Sequence, residues 1–239
     1  VILESTLKDE VMQSIAEENN LSETAFVSIH ESPLSIRWFT PSIEVDLCGH
    51  ATLASARILF DYYPDLAGEE INFNSKSGVL KITKVEDGFC LNFPSDQPVT
   101  IKTDPLFLEI LGTEPLMLLR GKDDYLAVFE NQKQIKNMQP NFSLLKKLDA
   151  RGLVISAPGD EVDFVSRCFY PEAGIEEDPV TGSAHTMLTP YWASQLSKDE
   201  LEAHQLSKRG GKLICRLEND RVYISGTSVI YFEGTIAIV

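Results

Sequence analysis

Two acid–glycine pairs give the first sign of chemistry. Glu44 lies five residues before Gly49, and Glu177 lies five before Gly182. Around the second pair, Glu176, Glu177 and Asp178 run directly into Pro179, then Thr181, Gly182 and Ser183. Around the first, Cys48 and His50 flank the glycine. Each glycine stands where a helical pattern begins. The free N–H groups of a helix start carry about half a positive charge and attract an anion. A glycine there lets a ligand approach the backbone closely. Amides in that position hold a carboxylate or an enolate-like oxygen, and acids beside them are placed to move a proton to or from it.

Those loops need elements to hold them. Residues 9–19 put Met12, Ile15 and Ala16 on one helical face. Residues 35–39, SIRWF, alternate as a strand. Residues 49–63 are rich in Ala and Leu and nearly free of charge, the pattern of a helix buried on most sides. Residues 71–93 read as strands with a hairpin at Glu86-Asp87-Gly88. A short helix is expected near 104–111, inside the irregular stretch 94–115. Residues 151–157 and 162–169 are strands. The helix from Gly182 to Leu196 carries Met187, Leu188, Tyr191 and Trp192 at core spacing, and Pro190 is expected to kink it or end its first segment. Residues 210–226 form a hairpin turning at Asn219-Asp220.

The order of these elements repeats. Arg37-Trp38-Phe39-Thr40-Pro41 matches Arg167-Cys168-Phe169-Tyr170-Pro171, the acid–glycine pairs match next, and Ser75-Lys76-Ser77-Gly78 matches Ser207-Lys208-Arg209-Gly210. The offsets are 130, 133 and 132 residues, in chain order. The implied object is α/β (α+β), with two pseudo-symmetric lobes, each a curled mixed sheet around a central helix. The expected lobes are residues 1–110, with a first strand segment expected ahead of Val1, and 111–239, whose last strand is expected to return to the first lobe. Two such lobes make a cleft where a small ligand binds. Arg37 and Arg167 are expected to pair with nearby acids.

The totals exclude several classes. The chain has 239 residues, 43% of them hydrophobic, and a formal charge of −15. That charge repels a phosphate backbone, so nucleic acid is not an expected partner. No apolar run is long enough to cross a bilayer as a helix, and no membrane partner is expected. Four scattered cysteines without metal spacing read as reduced thiols of a cytoplasmic protein. The four histidines form no ligand cluster in the sequence, and neither a metal nor a cofactor is expected.

Residues 39–60, FTPSIEVDLCGHATLASARILF, and 172–193, EAGIEEDPVTGSAHTMLTPYWA, resemble the PhzF-like, or phenazine biosynthesis-like, family. So do residues 20–27, NLSETAFV, and 205–213, QLSKRGGKL. The resemblance implies the diaminopimelate epimerase-like fold, a homodimer, and isomerisation by proton transfer on a small carboxylate-bearing substrate without a cofactor. It places the catalytic glutamate on Glu44 and further site roles on Asp178 and Ser183. It places the substrate carboxylate at the amides around Gly49, His50, Gly182 and Ser183, beside Cys48 and Thr181. A base in an apolar cleft is expected to have a raised pKa. His50 at a helix start is expected to be neutral, and Cys48 is expected to be a packed thiol, although the acidification expected from a helix start acts on it. Racemases of this fold use a cysteine before each glycine. Here Cys48 stands before the first and Thr181 before the second, and a hydroxyl cannot replace a thiol. An epimerase or racemase using Cys48, and a non-catalytic small-molecule binding or scaffold protein, are the alternative readings.

Overall fold

The computed structural model describes residues 1–174 and 176–238. The first half runs β1 (Ile2–Leu3), α1 (Asp9–Asn19), β2 (Thr24–Ser28), β3 (Ser35–Phe39), β4 (Glu44–Val45), α2 (Gly49–Tyr62), α3 (Pro64–Ala67), β5 (Glu70–Ser75), β6 (Gly78–Val85) and β7 (Gly88–Pro94). The second half opens with β8 (Val99–Ile101), α4 (Pro105–Leu111), β9 (Met117–Arg120), β10 (Asp124–Val128), α5 (Gln132–Asn137) and α6 (Phe142–Leu145). It continues with β11 (Gly152–Pro158), β12 (Phe164–Phe169), α7 (Gly182–Leu196), β13 (Glu200–Gln205), β14 (Gly211–Glu218) and β15 (Arg221–Gly226).

The repeat seen in the sequence is a repeat of topology. In the first half, β2 and β3 are antiparallel, α2 crosses over to β5 parallel to β3, and β6 and β7 follow as antiparallel neighbours. In the second half, β11, β12, α7, β13, β14 and β15 do the same in the same order. The halves meet where β7 pairs antiparallel with β15, Phe89 opposite Gly226 and Pro94 opposite Arg221. One sheet therefore runs through the whole molecule, in the order β1-β2-β3-β5-β6-β7-β15-β14-β13-β12-β11-β10-β9-β8.

Two expectations need correction. The lobe boundary falls before residue 110, because β8 already pairs with β9 in the second half. Strand pairing outweighs composition there, and the connection between halves is the short segment after Pro94. Nor does Pro190 end or divide α7, which continues to Leu196. A proline removes the N–H that would bond the carbonyl four residues back. That carbonyl, on Thr186, instead accepts the N–H of Asp96 at 3.1 Å. The connection between the halves thus satisfies the group that Pro190 leaves free.

The central helices are buried as their composition requires. Ala51, Thr52, Ala56 and Leu59 of α2 and Ala184, Met187, Leu188 and Trp192 of α7 lie in the interior. One apolar cluster takes in both helices and the inner faces of both half-sheets. A second packs α4, α5 and α6 on the other face of the second half, and a third holds α1 against β2 and β3.

Candidate active site

The two helix starts touch. A Cβ on Gly49 would stand 3.0 Å from the Cα of Gly182, and one on Gly182 would stand 3.2 Å from the Cα of Gly49. Only glycine at both positions permits that approach. Cys48 and Thr181 precede the two glycines, and neither side chain caps its helix. The first amides of both helices are therefore left without a side-chain cap, as an anion seat requires. The carbonyls before the glycines are tied down by matching bonds. Thr52 Oγ1 donates to Cys48 O at 2.6 Å, and His185 Nδ1 donates to Thr181 O at 2.7 Å. Burial pushes His185 down to about 4, so it serves as a neutral structural donor. Gly182→Ala is expected to wedge the starts apart and cost about 1–3 kcal/mol of stability, the usual penalty of overpacking. Thermal unfolding checks this, and an unchanged midpoint would show that the backbones have room.

Glu44 does not sit as expected. Arg37 grips both its carboxylate oxygens, at 2.7 and 2.9 Å, and Lys76 adds a third contact. Those bonds hold its carboxyl below the usual range, the reverse of the rise expected for a base in an apolar cleft. Its mate in the repeat does the same job. Arg167 grips both oxygens of Glu177, at 2.6 and 2.9 Å. Each arginine also lies over the phenylalanine two residues on, 5.2 Å from Phe39 and 5.1 Å from Phe169. The repeated R-x-F and acid–glycine patterns encode a clamp on each loop, and the pairing expected of Arg37 and Arg167 is observed.

The glutamate at the helix junction is Glu23, which the sequence pattern does not single out. It lies between the left-handed turn at Asn20 that ends α1 and the start of β2. Its side chain is 11% exposed, and Oε2 lies 3.3 Å from His50 Nε2. His50 Nδ1 lies 3.0 Å from Val180 O, to which it donates. In neutral imidazole that bond leaves Nε2 a bare acceptor facing a carboxylate oxygen. The contact is attractive only when the pair carries a proton between them. The signal is present, since Glu23 stands in the NLSETAFV stretch. Nothing local to that stretch reveals that its side chain turns toward His50, 27 residues away.

Asp178 is brought into the same cluster from the second half. Its N–H donates to Cys168 O at 3.0 Å, and Gln205 Nε2 donates to its carbonyl at 2.8 Å. Thr181 Oγ1 donates to Oδ2, while Oδ1 is buried without a hydrogen bond. Burial pushes the carboxyl up to about 6, and the charge of Glu23 adds to the rise. His50, the Thr181 hydroxyl and the charge of Arg209 act against it. Two carboxylates, each with one buried oxygen lacking a hydrogen bond, thus come from opposite halves to one junction.

A cavity of about 840 Å³ opens beside this junction, walled by Gly49, His50, Val180, Gly182, Gln205 and the turn after β13. His50 lines the cavity and contacts Glu23, while neither Glu23 nor Asp178 is part of the cavity wall. Ser183 is half-buried, is absent from the cavity wall, and its hydroxyl makes no hydrogen bond among the described residues. Cys48 is buried, and burial with the charges of Glu23 and Asp178 pushes its thiol well above the ordinary value. That reverses the acidification expected from the helix start. The ligand atoms of Glu23, Cys48 and His50 lie within 4.8 Å of one another, a grouping the scattered sequence positions do not suggest. A metal ligand is a thiolate, and these surroundings hold Cys48 as a thiol.

A family model described as phenazine biosynthesis-like protein, PhzC-PhzF, matches residues 1–234, and the chain belongs to that family. An uncharacterized isomerase of Pseudomonas aeruginosa is 46% identical over 236 residues, covering 99% of this chain and 90% of that one. By that likeness the chain is an enzyme of the isomerase class. The crystal structure of a PhzF-family phenazine biosynthesis protein from Enterococcus faecalis matches with a TM-score of 0.89 and 47% identity, covering 95% of this chain and 86% of that one. A structure described as a predicted epimerase of Pseudomonas aeruginosa matches with a TM-score of 0.68 at 17% identity, covering 95% and 88%. That likeness shows the shared fold alone, the mixed α/β fold of the diaminopimelate epimerase type. Among the described residues no helix is long and apolar enough to cross a membrane.

Proposed function

We propose that the chain moves a proton between two positions of a small carboxylate-bearing substrate, by acid–base catalysis from Glu23, His50 and Asp178. The observation that carries this reading is the pair of carboxylates, each with one buried oxygen lacking a hydrogen bond, at the meeting point of two uncapped helix starts. The amides of Gly49, His50, Gly182 and Ser183 seat the substrate carboxylate, and their positive ends favour charge as it develops on the adjoining carbons. Glu23 with His50 takes the proton. Asp178, pushed up to about 6, keeps a share of its protonated form near neutral pH and returns one. Thr181 and Gln205 hold Asp178 in place. Deuterium incorporation from D₂O into a panel of unsaturated carboxylates, read by NMR, tests the reading. Exchange by the wild type that Asp178→Asn and Glu23→Gln both leave intact would refute it.

Use of Cys48 as a racemase thiol finds no support in its surroundings, since the thiolate is disfavoured by burial and by two neighbouring carboxylates. Cys48→Ala is expected to keep most of the exchange activity, and iodoacetamide is expected to react slowly with the wild type. Rapid alkylation with loss of activity, prevented by substrate, would restore the thiol to the mechanism.

A further inference from the structure

We propose that the substrate carries a second anionic group, held at the cavity by Lys136, Arg209 and Lys212, in addition to the carboxylate seated at Gly49 and Gly182. This rests on the isomerase reading above and specifies its substrate as a dianion, a dicarboxylate or a carboxylate with a phosphate-type group.

The charge of the wall is the argument. The chain has 36 acidic and 21 basic residues. At that density a wall of 24 residues would hold about three or four acids, yet it holds no Asp or Glu. Its ionisable groups are Lys136, Arg209 and Lys212, with His50 and His204. Among the described residues none of the three cations has an ion-pair partner. Three uncompensated cations gathered on one cavity of a chain with charge −15 are a local field of opposite sign to the whole. Such a field selects and steers anions.

The cations come from separate elements, and one of them is fixed to the site. Arg209 stands in the turn between β13 and β14. Ser207 Oγ donates to Pro179 O at 2.6 Å and accepts the N–H of Gly210 at 3.0 Å. Gly210 has a φ of +77°, and a Cβ on Gly211 would stand 2.5 Å from Val180 Cγ2. The turn is therefore packed against the residue whose carbonyl holds His50, and Arg209 acts electrostatically on Asp178. A cavity of about 840 Å³ also exceeds the needs of a single short carboxylate and lies in the range that takes drug-sized ligands.

Calorimetric titration of the full chain at low salt with cinnamate, 4-carboxycinnamate and 4-phosphonocinnamate tests this. The two dianions are expected to bind about ten-fold or more tighter than cinnamate, the scale of one added charge-assisted contact. The double variant Arg209→Ala, Lys212→Ala is expected to erase that preference, weakening the two dianions about ten-fold more than cinnamate. The order of the two dianions tells whether a carboxylate or a phosphate-type group is preferred. Equal affinity for all three, uniform weakening in the double variant, or no binding of any probe would each overturn the inference. A wild type that shows no dianion preference, with proton exchange still dependent on Glu23, would defeat this inference alone. Exchange that survives both Glu23→Gln and Asp178→Asn would defeat the reading beneath it.

Discussion

Glu23→Gln is expected to slow proton exchange by about 10²–10⁴-fold, the usual contribution of a general base, while Glu44→Gln leaves the rate nearly unchanged. The contrast follows from what each carboxylate already touches. Glu44 spends both oxygens on Arg37 and a further contact on Lys76, which lowers its basicity and leaves no oxygen free. Glu23 keeps Oε2 buried and without a hydrogen bond, against a ring that lines the cavity. Glutamine preserves the shape of Glu23 but can neither accept the proton nor share one with His50. Removing the charge of Glu44 instead loosens the clamp on the loop before α2, so its effect is expected on stability and on substrate affinity. A large rate loss from Glu44→Gln with none from Glu23→Gln would reverse the assignment.

Asp178→Asn is expected to abolish the alkaline fall of activity and to make the protein more stable at pH 8 than the wild type. In the folded chain the carboxyl is pushed up to about 6 by burial, from an ordinary value of 3.8. Below pH 4 the group is protonated in both the folded and unfolded chains, and its contribution to stability is fully present. As pH rises through 6 the folded chain must ionise a buried acid that ionises freely when unfolded, and that contribution is lost. Each tenfold difference in proton affinity between the folded and unfolded chains is worth about 1.4 kcal/mol, so the loss is on the order of 1–3 kcal/mol by pH 8. Asparagine has no proton to lose and can still accept the Thr181 hydroxyl. Its stability advantage should therefore be absent at pH 4 and grow between pH 4 and 7. Denaturant unfolding at a series of pH values measures this, and a constant difference across the range would show that Asp178 is not the titrating group. In the wild type, kcat/KM is expected to fall as pH rises through about 6, if Asp178 is the acid as proposed.

Much of this architecture is legible because it repeats. The R-x-F pattern, the acid five residues before each glycine and the S-K-x-G turns recur at nearly constant offset, and each is a structural device used twice. On the proposed reading, the same repetition points to the acid that is not the base. Glu44 and Glu177 match because both hold a loop to an arginine, whereas the groups at the junction break the symmetry. Glu23 and Asp178 have no acidic counterparts at matching positions of the other half. Cys48 and Thr181 differ in type, as do His50 and Ser183. The repeated glutamates hold loops, and on the proposed reading the unmatched acids carry the chemistry. Pro190 misleads for a related reason. Its effect depends on whether another group satisfies the Thr186 carbonyl, and the N–H that does so lies on Asp96, some ninety residues earlier. Likewise, Val99–Ile101 lies in the irregular stretch 94–115 that marks the border only coarsely, and its pairing with β9 assigns it to the second half.

The most direct test is a crystal structure of the chain with a bound unsaturated carboxylate that exchanges deuterium. The carboxylate oxygens should accept bonds from the amides at Gly49, His50, Gly182 or Ser183, with the exchanging carbon facing His50 and Glu23. A ligand seated away from both glycines, with its exchanging carbon turned toward Glu44 or toward no titratable group, would contradict the account.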